Sequence, residues 1–106
     1  MTGLRQFDVF PNPSPRTRTS RPFFIVLQSD QVDLFNTRIV APLVAPMKVE
    51  WFERLMPEVT VAKKRYVIFI PELGPMPAQA LQLPIANLES ERYRIISALD
   101  LVFTGI

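Results

Sequence analysis

Phe23, Phe24, Ile25, Val26, Leu27, followed by Gln28 to Asn36 and a return through Thr37 to Leu43, is the stretch on which the fold turns. Five consecutive apolar residues, aromatic and β-branched, suit a strand covered on both faces, so this one belongs at the centre of a sheet. Ser29, Asp30, Gln31, Asp33 and Asn36 then bring turn-forming side chains. The return, with Arg38, Ile39, Val40 and Ala41 ahead of Pro42, completes a hairpin.

Outward from this hairpin the chain reads as short strands. Gln6 to Phe10 alternates, with Phe7 and Val9 on one face, which predicts a half-buried strand ended by the proline loop that begins at Pro11. Downstream, Val59 and Val61, then Arg65 to Ile70, predict two strands separated by Ala62, Lys63 and Lys64. A further short strand is expected over Ala80 to Leu83. Eleven prolines, among them Pro42, Pro46, Pro57, Pro71, Pro75, Pro77 and Pro84, chop the middle of the chain and leave no room for a long helix. One short helix fits between them, over Met47 to Leu55, with Pro46 in its first turn and Pro57 beyond its end.

The last segment is different. Leu88, Ile95, Ile96, Leu99, Val102, Phe103 and Ile106 fall at helical spacing, with Asn87 or Ser90 as cap and Glu89, Glu91, Arg92 and Arg94 in the first turns. Its final residues, Leu101 to Ile106, are mostly apolar where chain ends commonly fray into polar residues. An end of this kind calls for burial, and a second protomer or a target is a candidate to provide it.

The 106 residues, 48% hydrophobic and 21% charged, suit one globular domain spanning 1–106, burying roughly 60 to 70% of the surface its unfolded chain exposes. The longest apolar run, Pro22 to Leu27, is far short of the about 20 residues needed to cross a bilayer. Met1 to Phe10 has no basic start followed by an apolar stretch, so a cytoplasmic protein is expected. The chain has no cysteine and no histidine, which removes disulfides, thiol nucleophiles and the usual zinc sites. With no glycine-rich phosphate loop either, neither metal nor cofactor is expected. Residues 1–22 carry Arg5, Arg16, Arg18 and Arg21 against Asp8, a balance of +3, while the remaining eight basic and nine acidic residues balance at −1. The plain reading of Pro11 to Arg21 is a solvated loop kept soluble by its arginines; the other is a patch that attracts an acidic partner or a phosphate backbone.

Phe24 to Asp30, the later Asp33, the return Arg38 to Leu43 and the terminal Gly105 and Ile106 together resemble the CcdB family of bacterial toxins. The likeness runs from Gln6 and Phe7 through Met76 and Pro77 to the C-terminal helix. It implies a mainly β fold with a C-terminal α-helix, an SH3-like barrel with a small additional sheet, and a homodimer whose interface receives the chain end. It also implies a non-enzymatic toxin of a toxin–antitoxin module that binds the A subunit of DNA gyrase and traps the enzyme on cleaved DNA. A cognate antitoxin neutralises such toxins through a disordered tail that folds on binding, and operator DNA is reached only indirectly, through the antitoxin, with the toxin as co-repressor.

Matched position by position, the family's gyrase-contacting end falls on Thr104, Gly105 and Ile106. Its antitoxin-contacting surface falls on Gln6, Phe7, Ser29, Gln31, Asp100 and the same tail. Thr104 stands where the family has tryptophan, Gln31 where it has isoleucine and Asp100 where it has asparagine. Several of these residues also suit plainer roles: Ser29 and Asp30 as turn formers, Gly105 as the glycine that ends a helix, and Trp51 and Phe52 as packing. Two alternatives stand beside the gyrase poison. One is a ribonuclease of the same fold using Asp30, Asp33 and Arg38 as proton carriers and charge stabilisers; the other is an inactive relative that still binds antitoxin.

Overall fold

The structure, a computed structural model, describes residues 4–32, 36–48 and 50–105. It is mainly β, a nearly closed barrel-like sheet with a C-terminal helix. Strands β1 (Asp8–Pro11), β2 (Phe23–Val26), β3 (Thr37–Val44), β4 (Glu58–Val61), β5 (Lys64–Ile68), β6 (Gly74–Pro77) and β7 (Ala86–Asn87) precede α1 (Arg92–Thr104). The strand order is β4-β5-β3-β2-β1-β7, with β6 off this path and paired with β3. All pairings are antiparallel.

As the sequence predicts, β2 is central and forms a hairpin with β3, with Ile25 opposite Ala41 and Val26 opposite Val40. Alternation along the strand sends neighbouring residues to opposite faces. On one face Val9, Ile25, Ala41 and Leu43 join Val59, Val61 and Ile68 and receive Ile95 and Ala98 of α1; on the other, Val26, Val40 and Phe10 pack with Leu81. Each large side chain fully buried in this way contributes on the order of 1.5 to 3 kcal/mol.

Two-sided burial corrects the expectation for the first strand. Asp8 and Phe10, read as its outer face, are buried like Phe7 and Val9. The second core beneath Phe10 is built by residues distant in sequence, Leu81 and Met76 among them, which local alternation does not register. Prolines also interrupt less than expected. Pro42 lies inside β3, opposite Phe24. In an antiparallel strand a residue's nitrogen and carbonyl point to the same edge. At that edge β3 passes from pairing with β6, up to Val40, to pairing with β5, from Leu43. The Pro42 carbonyl accepts the Phe69 N–H there (2.9 Å), and no partner strand needs the missing proline donor. Pro75 and Pro77 likewise sit in β6, a strand the sequence does not predict.

Three further differences have local causes. The described residues of 46–55 form no helix: a turn closes at Phe52, whose carbonyl accepts both Leu55 N–H and Met56 N–H, and the Trp51 indole donates to the Met56 carbonyl (3.0 Å). A helix so short between prolines has too few bonds to offset its nucleation cost. The expected strand over 80–83 is replaced by a 3₁₀ turn at Ala78–Ala80 that drives Leu81 into the second core, and pairing resumes only at Ala86–Asn87. Lys64, expected in the turn, already pairs with Val61, and the turn is Ala62 and Lys63 alone. Both have positive φ, 52° and 67°, the geometry of the two-residue turn that matches strand twist.

The C-terminal helix is present where expected and starts later. Asn87 Oδ1 accepts the Glu89 N–H (2.8 Å) ahead of a 3₁₀ turn over Glu89–Glu91, from which α1 continues at Arg92; the cap positions are Leu88 and Glu91, not the expected Asn87 or Ser90, and neither side chain caps. At the other end Gly105 adopts φ 79° and donates its N–H to the Leu101 carbonyl (3.0 Å). This is the left-handed helix end that glycine permits.

Candidate functional site

Helix α1 buries Ile95 and Ala98 and leans Ile96 and Leu99 on the core, so one turn later its inward row leaves the barrel behind. Val102 is 37% exposed and Phe103 69%. Phe103 and Leu99 form one wall of an apolar groove of about 340 Å³, completed by Leu27, Gln28, Ile39 and Leu73. The Thr104 hydroxyl is spent on its own helix, donating to the Asp100 carbonyl at 2.7 Å. Thr104 and Gly105 are exposed, and Ile106 lies outside the described residues.

The groove adjoins a loop held by side chains rather than by strand pairing. Gln6 is its hub. Its backbone N–H donates to Asp30 Oδ1 (2.7 Å), its Nε2 to the Leu27 carbonyl (2.9 Å), and its Oε1 accepts from Arg92 Nη1 (3.1 Å). Its carbonyl accepts from Asn87 Nδ2 (3.1 Å), which also donates to the buried Asp8 carboxylate (2.9 Å). Gln28 Oε1 accepts the Ile39 N–H (3.1 Å), Gln28 Nε2 donates to the Val32 carbonyl, and Ser29 Oγ accepts the Gln31 N–H (3.1 Å). Phe7 is fully buried beside this hub at φ 72°, with the Arg92 guanidinium 5.4 Å above its ring centre. A left-handed conformation is costly for a bulky side chain, and such positions persist only where the surroundings over-determine them. Here the Phe7 N–H bonds the Val26 carbonyl (2.7 Å), its carbonyl takes the Leu88 N–H (2.9 Å), and its ring fills the core.

Among the residues matched to the antitoxin surface, the structure therefore gathers Gln6, Phe7, Ser29 and Gln31 around one loop, with Phe7 reaching the surface only through Arg92. Asp100 lies on another face. It lines a larger polar groove, about 500 Å³, between α1 and the 51–57 segment, with Tyr93, Arg94 and Ser97 on the same helix and Glu53, Arg54 and Pro57 opposite. That segment is tied to α1 through Arg94, which donates to Glu91 (2.7 Å), Glu53 (3.1 Å) and the Glu58 carbonyl (2.8 Å). Glu58 in turn pairs with Arg65, and this hydrogen bond holds its carboxyl below the ordinary value. Asp30 and Arg38, the residues of the ribonuclease reading, share a small cavity of about 40 Å³ with Arg5 and Ser29; Asp33 lies outside the described residues. Among the described residues no three acidic side chains cluster as a metal site would require.

The family profile described as CcdB protein matches residues 6–105, nearly the whole chain. The chain belongs to the CcdB family. Its members are toxins of toxin–antitoxin modules, and the barrel with its C-terminal helix agrees with that family's expected fold. No curated protein matches the chain. Among the described residues of this toxin, no helix is long and apolar enough to cross a membrane.

Sequence reasoning included Phe103 in the apolar end, Leu101 to Ile106, that calls for a partner to cover it, without naming it among the site residues; the structure makes it the exposed aromatic of that end. Its signal was present: it lies four residues after Leu99, on the same helix face, and two before the helix-ending glycine.

Proposed function

We propose that this toxin binds the A subunit of DNA gyrase through its C-terminal end, Thr104, Gly105 and Ile106 together with Phe103, and traps the gyrase–DNA cleavage complex. The observation that carries the reading is the exposed apolar end of α1, with Phe103 69% exposed over the Leu27, Ile39, Leu73 groove. An exposed aromatic beside an apolar groove is the kind of anchor that dominates binding energy when a partner buries it. Gyrase as the target comes from family membership. Phe103 supplies, one position earlier, the ring that Thr104 lacks. The same face serves a homodimer, in which the helix ends of two protomers lie near each other and frame the target site. The cognate antitoxin binds across Gln6, Phe7, Ser29, Gln31 and Asp100, covers the helix end and recruits the toxin as co-repressor, with operator sequence read by the antitoxin. The toxin is no enzyme in this reading and acts in the cytoplasm.

A DNA-cleavage assay with gyrase, run beside an RNA-cleavage control, tests the proposal. Linear DNA that accumulates with toxin while RNA stays intact is the expected outcome. RNA cleavage with gyrase untouched overturns it in favour of a ribonuclease, for which the placement of Asp30, Arg38, Arg5 and Ser29 around one cavity is the supporting observation. Asp30 is a poor proton carrier there, because its Oδ1 already accepts the Gln6 N–H. If neither nucleic acid is cut, the protein is an antitoxin-binding relative without poisoning activity.

A further inference from the structure

The Arg-bearing loop between β1 and β2 looks from its composition like a loose solvated segment, and its construction is the opposite. Asn12 is 1% exposed and every polar group it has is engaged. Its N–H donates to the Pro22 carbonyl (2.9 Å), Nδ2 donates to Thr17 Oγ1 (2.9 Å) and to the Arg21 carbonyl (2.8 Å), and Oδ1 accepts the Ser14 N–H (2.8 Å). Its carbonyl accepts Arg18 Nε at 3.0 Å. A second anchor holds the loop from outside, where Arg21 pairs two-pronged with Glu72 (2.7 and 2.5 Å). That pair raises the Arg21 pKa and uses its charge.

Arg16 and Arg18 remain. Both are exposed, and neither has a carboxylate partner among the described residues. From Val9 to Ser29 the chain contains no acidic residue at all. Next to the two arginines in the chain are the exposed Thr17, Thr19 and Ser20, and between Asn12 and Arg21 there is no apolar side chain other than proline. A peptide partner needs pockets for its side chains, and this loop has none to provide. On a hydrogen-bonded loop, with Arg18 held by its Nε to the Asn12 carbonyl, guanidinium groups unpaired among the described residues suit phosphate oxygens, which position a protein on a duplex without reading its sequence.

We propose that the loop 12–21 is a contact for the phosphate backbone of duplex DNA. The proposal goes beyond the gyrase and antitoxin reading and does not depend on it. The loop leaves one end of the β1–β2 pair at Pro11 and Phe23, whereas Leu27, at the other end, borders the Phe103 groove. Four residues at about 3.3 Å per residue separate these ends by roughly 13 Å. The loop and the groove share no lining residue, and they are joined through Glu72, the partner of Arg21, which precedes Leu73 of the groove. Backbone contact of this kind strengthens the hold on any DNA the toxin's protein partners are already engaged with, adding no sequence preference.

The test is fluorescence anisotropy with the full-length toxin and a labelled duplex of arbitrary sequence, titrated at several salt concentrations. Double substitution Arg16→Ala with Arg18→Ala is expected to weaken binding by roughly tenfold per arginine at about 0.1 M salt and to reduce the slope of log K against log salt by nearly two. The double variant Arg16→Lys with Arg18→Lys keeps the charges and the slope. Lys63→Gln with Lys64→Gln removes two charges from the β4–β5 hairpin, outside the loop, and is expected to bind as the wild type does. Equal losses in the arginine and lysine variants mean diffuse charge, not a site, and overturn the proposal. So does unchanged DNA binding in the arginine-to-alanine variant. The assay contains no gyrase, so a toxin with another target still passes it, and removal of Gly105 and Ile106 leaves it unaffected.

Discussion

The end of α1 and the Asn12 loop are both surface features, and they are built in opposite ways. At the helix end the side chains are mostly apolar, and beyond the helix's own backbone bonds Gly105 N–H donates to the Leu101 carbonyl and the Thr104 hydroxyl to the Asp100 carbonyl. Phe103 lies over a groove with no polar partner to hold it. In the loop the side chains are polar and the prolines numerous, and one buried asparagine binds four other residues of the segment. Polarity along a sequence is therefore no guide to order. Internal hydrogen bonding makes the polar loop rigid, while the apolar end contributes little to the chain's own stability and is left for something else to cover.

The largest effect expected from this contrast is functional. Phe103→Ala, or removal of Gly105 and Ile106, should abolish gyrase poisoning while lowering the unfolding free energy in urea by no more than about 0.5 kcal/mol, the range of surface substitutions. A large loss of stability instead would mean that the end belongs to the core. Thr104→Trp, by contrast, is expected to strengthen poisoning, since it places a second aromatic beside Phe103.

Next in size is the reverse case. Asn12→Ala removes three side-chain hydrogen bonds from a buried position and should cost about 2 to 3 kcal/mol at roughly 1 kcal/mol each, measured by urea denaturation, with poisoning per folded molecule retained. Equal stability in the two proteins would show the loop to be held by its prolines alone. Gly105→Ala should cost about 1 kcal/mol, because φ 79° strains any side chain while the space around an added Cβ is open. The sign of that effect separates a helix end set by glycine from one set by packing.

The smallest effect concerns the ion pairs that bind 51–58 to the rest of the barrel. Glu58 has its pKa lowered, chiefly by the hydrogen bond from Arg65, so its contribution is present above the ordinary carboxylate range and is lost as pH falls through its depressed value. Glu58→Gln should therefore flatten the acid limb by a small loss of stability at neutral pH, with little change once the pH is below the depressed value. An unaltered acid limb would place the pair among surface bridges that contribute nothing measurable.

How much of this was legible in the sequence differs by element. The Phe23 to Leu27 run, the return through Thr37 and the terminal helix were readable because each rests on a local pattern with one physical solution, burial on both faces or on one stripe. The strand β6 was not, since Pro75 and Pro77 argue against pairing, and only β3 running alongside makes an edge position there. The helix expected at 47–55 failed for want of length, and the role of Asn12 was hidden because its partners Thr17 and Arg21 sit five and nine residues away in an irregular turn. Of the site, Thr104, Gly105 and the loop residues Gln6, Ser29 and Gln31 were reached through resemblance to the family. Phe103 was not.

By itself, then, the sequence determined a small β-rich chain without cysteine or histidine, its central hairpin and its terminal helix, since composition and short-range periodicity carry these, and its resemblance to CcdB toxins pointed to the family. Tertiary structure decided the rest. It made the first strand two-sided, allowed Pro42 and β6 into the sheet, set Asp100 on a different face from the Gln6 hub, turned Phe103 outward and closed the arginine loop around Asn12. Each of these depends on which distant residues meet, and that is settled only when the whole chain has found its partners for burial and hydrogen bonding.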